Sequence, residues 1–123
     1  MELALTEIQE QIQSGARKFA EAELAPVAAT LDAGGGREIY LKNLRKLAEL
    51  GFMGLNVDSN YGGTEAGVVA FSVAMTEIAK SCAATAVAMS VTNLVSEAIQ
   101  SIGTEEQKQR YIPKLCGGEY AGS

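Results

Sequence analysis

The sequence predicts an all-α fold, an orthogonal or antiparallel bundle of about five to six helices. Three observations carry that. Apolar residues recur at helical spacing, at Ile8, Ile12, Ala16, Phe19 and Ala20 and again at Tyr40, Leu41, Leu44, Leu47 and Ala48. No stretch alternates apolar and polar residues as a half-buried strand would. Helix start and stop residues stand where the periodic segments begin and end. Of the 123 residues 47% are apolar and 20% charged, enough for one core in one domain.

Thr6 followed by Gln9 is a capping-box pattern, and Glu7 complements the positive end of the helix dipole. The first helix is predicted over Glu7–Leu24. Pro26 ends or kinks it, and a short second helix covers Val27–Leu31. Gly34, Gly35 and Gly36 break the chain. No strand precedes them and no Lys-Ser/Thr follows, so they read as a plain loop and not as a phosphate cradle. The next helix spans Glu38–Leu50, with Tyr40, Leu41, Leu44, Leu47 and Ala48 as its apolar stripe. Arg37, Lys42, Asn43, Arg45, Lys46 and Glu49 fall elsewhere. Gly51 suits the left-handed position after a helix, and Phe52 suits the apolar residue that folds back on it.

Gly54–Gly63 is polar and glycine-rich and reads as an ordered loop. A helix over Glu65–Lys80 is apolar on most of its circumference, and Ser81 and Cys82 break it. From Ala83 to Ile102 the only ionisable side chain is Glu97. That helix is about 30 Å long, which matches a membrane. It is rich in Ala, Ser and Thr and interrupted by Asn93, Glu97 and Gln100, so it reads as a buried central helix. Gly103 closes it. Thr104 caps the next helix, with Glu105 and Glu106 at its positive end. A short surface helix over 107–112 is expected to stop at Pro113, after which the tail 117–123 runs out.

The absence of histidine excludes a Ser-His-Asp triad, a Cys-His dyad and any zinc site that uses histidine. Cys82 and Cys116 stand too far apart for a CxxC motif. The N-terminal segment has no basic leader, so both are expected as free thiols in the cytoplasm. A net charge of −5 argues against nucleic acid and anionic membranes as partners. No carboxylate pair is marked for acid–base work. Glu97 reads as a solvent-reaching or salt-bridged residue, or as a polar group at a ligand pocket. Ser90, Thr92 and Asn93 are small polar residues in mid-helix. Hydroxyls in that setting bond back to the backbone one turn earlier, or else bond a ligand.

The order of the pieces goes further. Leu5-Thr6-Glu7, Phe19-Ala20-Glu21 and Leu24-Ala25-Pro26 are followed by Leu47-Ala48-Glu49-Leu50-Gly51, Gly54-Leu55 and Tyr61-Gly62-Gly63. Then come Gly103-Thr104-Glu105-Glu106-Gln107-Lys108, Tyr111-Ile112-Pro113 and Gly118-Glu119. In this order and spacing, from Leu5 to Gly122, the chain resembles the N-terminal helical domain of the acyl-CoA dehydrogenases. Three departures stand out. The loop lacks a proline after Val57, three glycines replace Gly-Phe-Pro at 34–36, and the family pattern has one more residue near Asn93.

The resemblance implies that residues 1–123 are the N-terminal domain of a longer enzyme, with a β domain and a C-terminal helical bundle beyond Ser123. It implies an FAD-dependent oxidoreductase that oxidises the Cα–Cβ bond of an acyl-CoA. The thioester carbonyl is polarised, a glutamate takes the α proton, and the β hydrogen leaves as hydride to the flavin. The flavin segments and that glutamate lie outside the matched residues, so no catalytic residue carries over. A wall does. The helix at 83–102 matches the one that lines the acyl pocket, which makes Val87, Ser90, Val91 and Leu94 the candidate substrate-binding residues, with Ala86 as a neighbour. The alternative is that all five pack against the helix at 65–80. The resemblance also implies a homotetramer and no membrane span. Rival readings are an acyl-CoA oxidase or flavin-dependent monooxygenase of the same fold, and a stand-alone helical interaction module.

Overall fold

The first helix starts where its capping residues require. In a computed structural model, which describes all 123 residues, the Thr6 hydroxyl accepts from the Gln9 N–H at 3.3 Å and Gln9 Oε1 accepts from the Thr6 N–H at 2.9 Å. Helix α1 runs Glu7–Phe19. Over Ala20–Leu24 its path widens into a π-helical turn, and over Ala25–Val27 it tightens into a 3-10 turn holding Pro26. α2 follows at Ala28–Asp32. Pro26 therefore kinks the path and does not end it. Pro26 has no N–H to offer a carbonyl one turn back, and the N–H of Ala25 before it reaches five residues back, to Ala20 O.

Gly34 and Gly36 take left-handed φ of 88° and 78°, and α3 begins at once, over Arg37–Glu49. It ends as its sequence predicts. Gly51 has φ 83°, its N–H reaches Ala48 O at 2.9 Å, and the Phe52 N–H reaches Leu47 O at 3.0 Å. This is the Schellman pattern, and it turns Phe52 into the core. One expectation for α3 is corrected. Asn43 is buried and Leu41 is exposed. The Asn43 Nδ2 donates to Glu23 O at 3.4 Å, so a backbone carbonyl of the kinked segment draws the amide inward.

Residues 52–67 form an ordered loop that closes on itself. Thr64 N–H reaches Gly54 O, Glu65 N–H reaches Val57 O, and Ala66 N–H reaches Leu55 O. Gly63 lies so close to Val57 O that a Cβ there would overlap it. These bonds delay the next helix. α4 spans Val68–Ser81, three residues later at its start than expected. Glu65 and Gly67 have φ of 52° and 93°, held outside any helix by the loop. Cys82 is a single extended residue between α4 and α5, and α5 spans Ala83–Ile102.

α6 starts with a second capping box, Thr104 with Gln107, and runs Glu105–Cys116. The expectation that Pro113 stops it is corrected, because Pro113 lies inside the helix. Its missing N–H leaves only the carbonyl of exposed Gln109 without a partner one turn back. The last turn is worth completing because it buries Leu115 and Cys116. The tail does not run out either. Glu119 and Tyr120 N–H both reach Lys114 O, and Gly122 returns to α5.

The bundle has α4 at its centre, against α1 on one side and α5 on the other. α5 in turn carries α3 and α6. The main core draws Phe19 and Leu24 from the first path, Leu44 and Leu47 from α3, Phe52, Met53 and Leu55 from the loop, Ile78 from α4 and Met89 from α5. A smaller cluster of Val57, Ile112 and Cys116 lies under the far end of the loop. No strand forms, and no helix is long and apolar enough to cross a membrane.

The α1–α4 contact carries a half-buried ion pair that the sequence did not mark. Glu77 is 3% exposed, and Arg17 Nε and Nη2 donate to its two oxygens at 3.2 and 3.0 Å. Lys80 Nζ adds a bond at 3.2 Å. The Arg17 hydrogen bonds hold the Glu77 carboxyl below its ordinary 4.5, against the opposing effect of burial. Its stabilising contribution is therefore present above about pH 4.5 and is lost as pH falls through the lowered folded value. Arg17 is 51% exposed, so removing the carboxylate strands no buried cation. Glu77→Gln is expected to cost about 1.5–3 kcal/mol at pH 7, the worth of hydrogen bonds to a charged group. Thermal unfolding between pH 3 and pH 7 is the check. The difference between wild type and variant should shrink as pH falls, and a constant difference would refute the assignment.

Candidate functional site

α5 has an inner and an open face. Thr85, Ala86, Met89, Thr92, Asn93 and Ser96 are buried. Val87 and Leu94 are 61% and 64% exposed, and Ser90 and Val91 are half-buried. These four stand at i, i+3, i+4 and i+7, on one side of the helix. Ala86 is buried in the main core, on the strip that flanks Ser90 one turn before it. The structure therefore gathers four of the five candidates into an open wall and places the fifth at its buried edge.

What holds the wall still is a seam of polar side chains on a neighbouring strip of the same helix. Asn93 is fully buried. Its Oδ1 accepts from the Leu55 N–H at 2.9 Å, and its Nδ2 donates to Phe52 O at 2.9 Å and Met89 O at 2.8 Å. One turn on, Glu97 Oε1 accepts from Asn56 Nδ2 at 3.0 Å. One further turn on, Gln100 Oε1 accepts from the Asp58 N–H at 2.7 Å. Residues 93, 97 and 100 thus grip the loop at 55, 56 and 58. Glu97, read from sequence as a solvated, salt-bridged or ligand-facing acid, bonds a loop amide instead. Of Ser90, Thr92 and Asn93, Asn93 bonds back one turn, to Met89 O, and Ser96, which was not singled out, does the same, its Oγ donating to Thr92 O at 3.0 Å. Thr92 Oγ1 faces the tail, where it accepts from the Gly122 N–H.

The seam was missed because its partners, backbone groups of 52, 55 and 58 and the Asn56 side chain, belong to an irregular loop, which no periodicity marks. The available signal was the seven-residue spacing itself. Asn93, Glu97 and Gln100 lie on one strip of an otherwise apolar helix. Polar groups so placed have to find buried partners.

The wall is suited to an apolar ligand and to little else. α5 has no Lys or Arg, and its one acid is engaged in the seam. No His, Cys, Asp and Glu groups cluster as metal ligands. Cys82 and Cys116 are free and buried, and burial pushes the Cys116 thiol up, away from nucleophilic use. Glu105, expected to be only a solvated helix-start residue, accepts from the Tyr61 hydroxyl at 2.9 Å and ties the loop to α6. That bond raises the Tyr61 hydroxyl above its ordinary range. A cavity of about 320 Å³ lies elsewhere, between α2 and the α4–α5 junction.

Residues 6–119 match the family model described as acyl-CoA dehydrogenase, N-terminal domain. An acryloyl-CoA reductase (NADH) of Anaerotignum propionicum is 37% identical over all of this chain and 31% of its own length. A short-chain specific acyl-CoA dehydrogenase of Clostridium acetobutylicum is 36% identical over all of this chain and 32% of its own. The butyryl-CoA dehydrogenase of Megasphaera elsdenii superimposes with a TM-score of 0.86 at 30% identity, covering 98% of this chain and 32% of that one. The chain thus spans about a third of the length of the relatives it matches.

The seam and the wall make opposite demands on substitution. Asn93→Leu keeps the branched shape but leaves the Leu55 N–H and Phe52 C=O buried without a partner. It is expected to cost about 2–6 kcal/mol, at about 1–3 for each orphaned group. Leu94→Ala, on the open wall, is expected to stay within about 0.5 kcal/mol. Urea denaturation followed by circular dichroism distinguishes them. Equal losses for the two would show that Leu94 belongs to the core.

Proposed function

The chain belongs to the acyl-CoA dehydrogenase N-terminal domain family, and from that premise we propose that it forms one wall of the acyl-chain pocket of an FAD-dependent acyl-CoA dehydrogenase. The observation that carries the proposal is the uncharged open face of α5. Val87, Ser90, Val91 and Leu94 are turned away from the core on a helix clamped along a neighbouring strip. Ala86 borders the wall at its buried edge, one turn before Ser90. A methylene chain laid on such a face gains about 0.8 kcal/mol for each CH₂ it buries. A small residue at 90 leaves a shallow place between Val87 and Leu94.

The same face does not fit a flavin. A dinucleotide's diphosphate calls for helix N-termini or basic side chains, and α5 offers no basic side chain along its length. No proton-abstracting group stands on the wall either. We therefore assign these residues to binding alone. FAD and the catalytic base belong, in this proposal, to a β domain and a C-terminal helical bundle of a longer, homotetrameric protein. The relatives' lengths, about three times that of this chain, support that view. Two free, buried thiols agree with a cytoplasmic setting. A wall of this kind holds the acyl chain whichever way the electrons run. One matched relative is named as an acryloyl-CoA reductase and another as a dehydrogenase.

Two measurements test the proposal. The 123-residue chain, purified alone, is expected to retain no stoichiometric FAD and to lack dehydrogenase activity. A flavin band of stoichiometric strength in its visible spectrum would contradict the division of labour. In the full-length enzyme, Ser90→Phe is expected to shorten the preferred acyl chain. At about 0.8 kcal/mol per methylene, two or three carbons no longer buried should cost about ten- to fiftyfold in kcat/KM for the longer substrate. Thermal stability and FAD content of the variant serve as controls. An equal loss on every chain length would place Ser90 in the core and remove it from the pocket.

A further inference from the structure

The tail after α6 follows a defined course. Gly118, at φ 78°, turns the chain back across α3 so closely that a Cβ there would stand 2.8 Å from Ala48 Cβ. Residues 118–121 then cover a narrow space of about 80 Å³ between α3 and α5, floored by Leu44, Met53 and Thr92. At Gly122 the tail meets α5. Its N–H donates to Thr92 Oγ1 at 3.2 Å, and a Cβ would stand 2.9 Å from both Cβ and Cγ2 of Val95 and 3.1 Å from Thr92 Cα. The two Val95 separations are shorter than real Cβ atoms show and the Thr92 one is tight, so any side chain at 122 would have to push the tail or Val95 aside.

This crossing falls on one particular turn of α5. Thr92 and Val95 alternate with Val91 and Leu94, the wall residues, while Asn93 in the same turn is fixed to the loop. We propose that Thr92 and Gly122 form a positioning joint. It sets the 91–95 turn of α5 against the tail at 118–122, and so sets how far Val91 and Leu94 project toward the acyl chain. The proposal rests on the acyl-wall reading above. Neither residue touches substrate in it, and both act through Val91 and Leu94.

The test uses the full-length enzyme and three variants. Thr92→Val keeps the shape and removes the acceptor. Gly122→Ala forces the tail off Val95. Thr92→Ser keeps the hydroxyl and is the rescue control. The ratio of kcat/KM for a long over a short acyl-CoA is expected to change about three- to tenfold in the first two. The change should sit mainly in KM, and FAD content should be retained. That is part of the discrimination a single methylene contributes in an apolar pocket. Amide exchange at Gly122 should quicken about tenfold or more in Thr92→Val and stay slow in Thr92→Ser. An unchanged ratio overturns the joint, as does a uniform fall on all substrates that tracks thermal stability. If the wild type turns over no acyl-CoA, the acyl-wall reading fails. The exchange data then still decide the joint: slow Gly122 exchange lost in Thr92→Val upholds it, and fast exchange in the wild type removes it.

Discussion

One buried carboxamide, that of Asn93, holds the molecule's irregular half to its helical half. The loop at 52–57 sends Phe52, Met53, Leu55 and Val57 inward, so its backbone is taken out of water with them. Buried N–H and C=O groups need partners, and a loop has no ladder to supply them. Asn93 supplies an acceptor to Leu55 and a donor to Phe52 from a single side chain, while its second amide hydrogen bonds Met89 within the helix. Because the carboxamide is rooted in α5, the position of the loop and the rotation of the helix become one variable. The open wall is what is left when that variable has been set.

Apolar burial provides the bulk of the cohesion and little of the geometry. Helices as rich in alanine as α4 and α5 can slide or rotate against one another at small cost, because their surfaces are smooth. The polar contacts prevent this. Arg17 with Glu77 sets α1 against α4, and the Asn93, Glu97 and Gln100 seam sets α5 against the loop. An ion pair with one buried partner is a weak contributor to net stability when compared with an apolar replacement. Its value here is that only one alignment of the two helices satisfies it.

What could be read from the sequence divides along the same line. Features governed by a few adjacent residues were legible. The capping box at Thr6, the cap at Thr104, the Schellman end at Gly51 and the bounds of α5 all stand where local chemistry puts them. Features governed by distant contacts were not. α4 begins late because the loop claims Glu65 and Gly67. α6 passes through Pro113 because burial of Leu115 and Cys116 outweighs one lost hydrogen bond. Glu77 and Asn43 look like surface residues until Arg17 and Glu23 are brought to them. For the candidate wall, helical spacing was enough to put Val87, Ser90, Val91 and Leu94 on one side. It was not enough to show which side would be open, because α5 is apolar almost all round. That choice came from resemblance and not from periodicity.

The seam along α5 also bears on how this helix can vary over time. Each residue added to a helix turns everything beyond it by about 100°. An insertion between Met89 and Asn93 would swing the carboxamide away from the loop and unhook all three grips together. An insertion just after Asn93 would keep the first grip and rotate Glu97 and Gln100 out of reach of Asn56 and Asp58. A relative with one more residue just after Asn93 would have to fasten the far half of the loop with other side chains, whereas the near half could be inherited unchanged. Side chains on the open face carry no such tie. Substitution there is free to follow the ligand, while the length of the helix stays under the control of the loop.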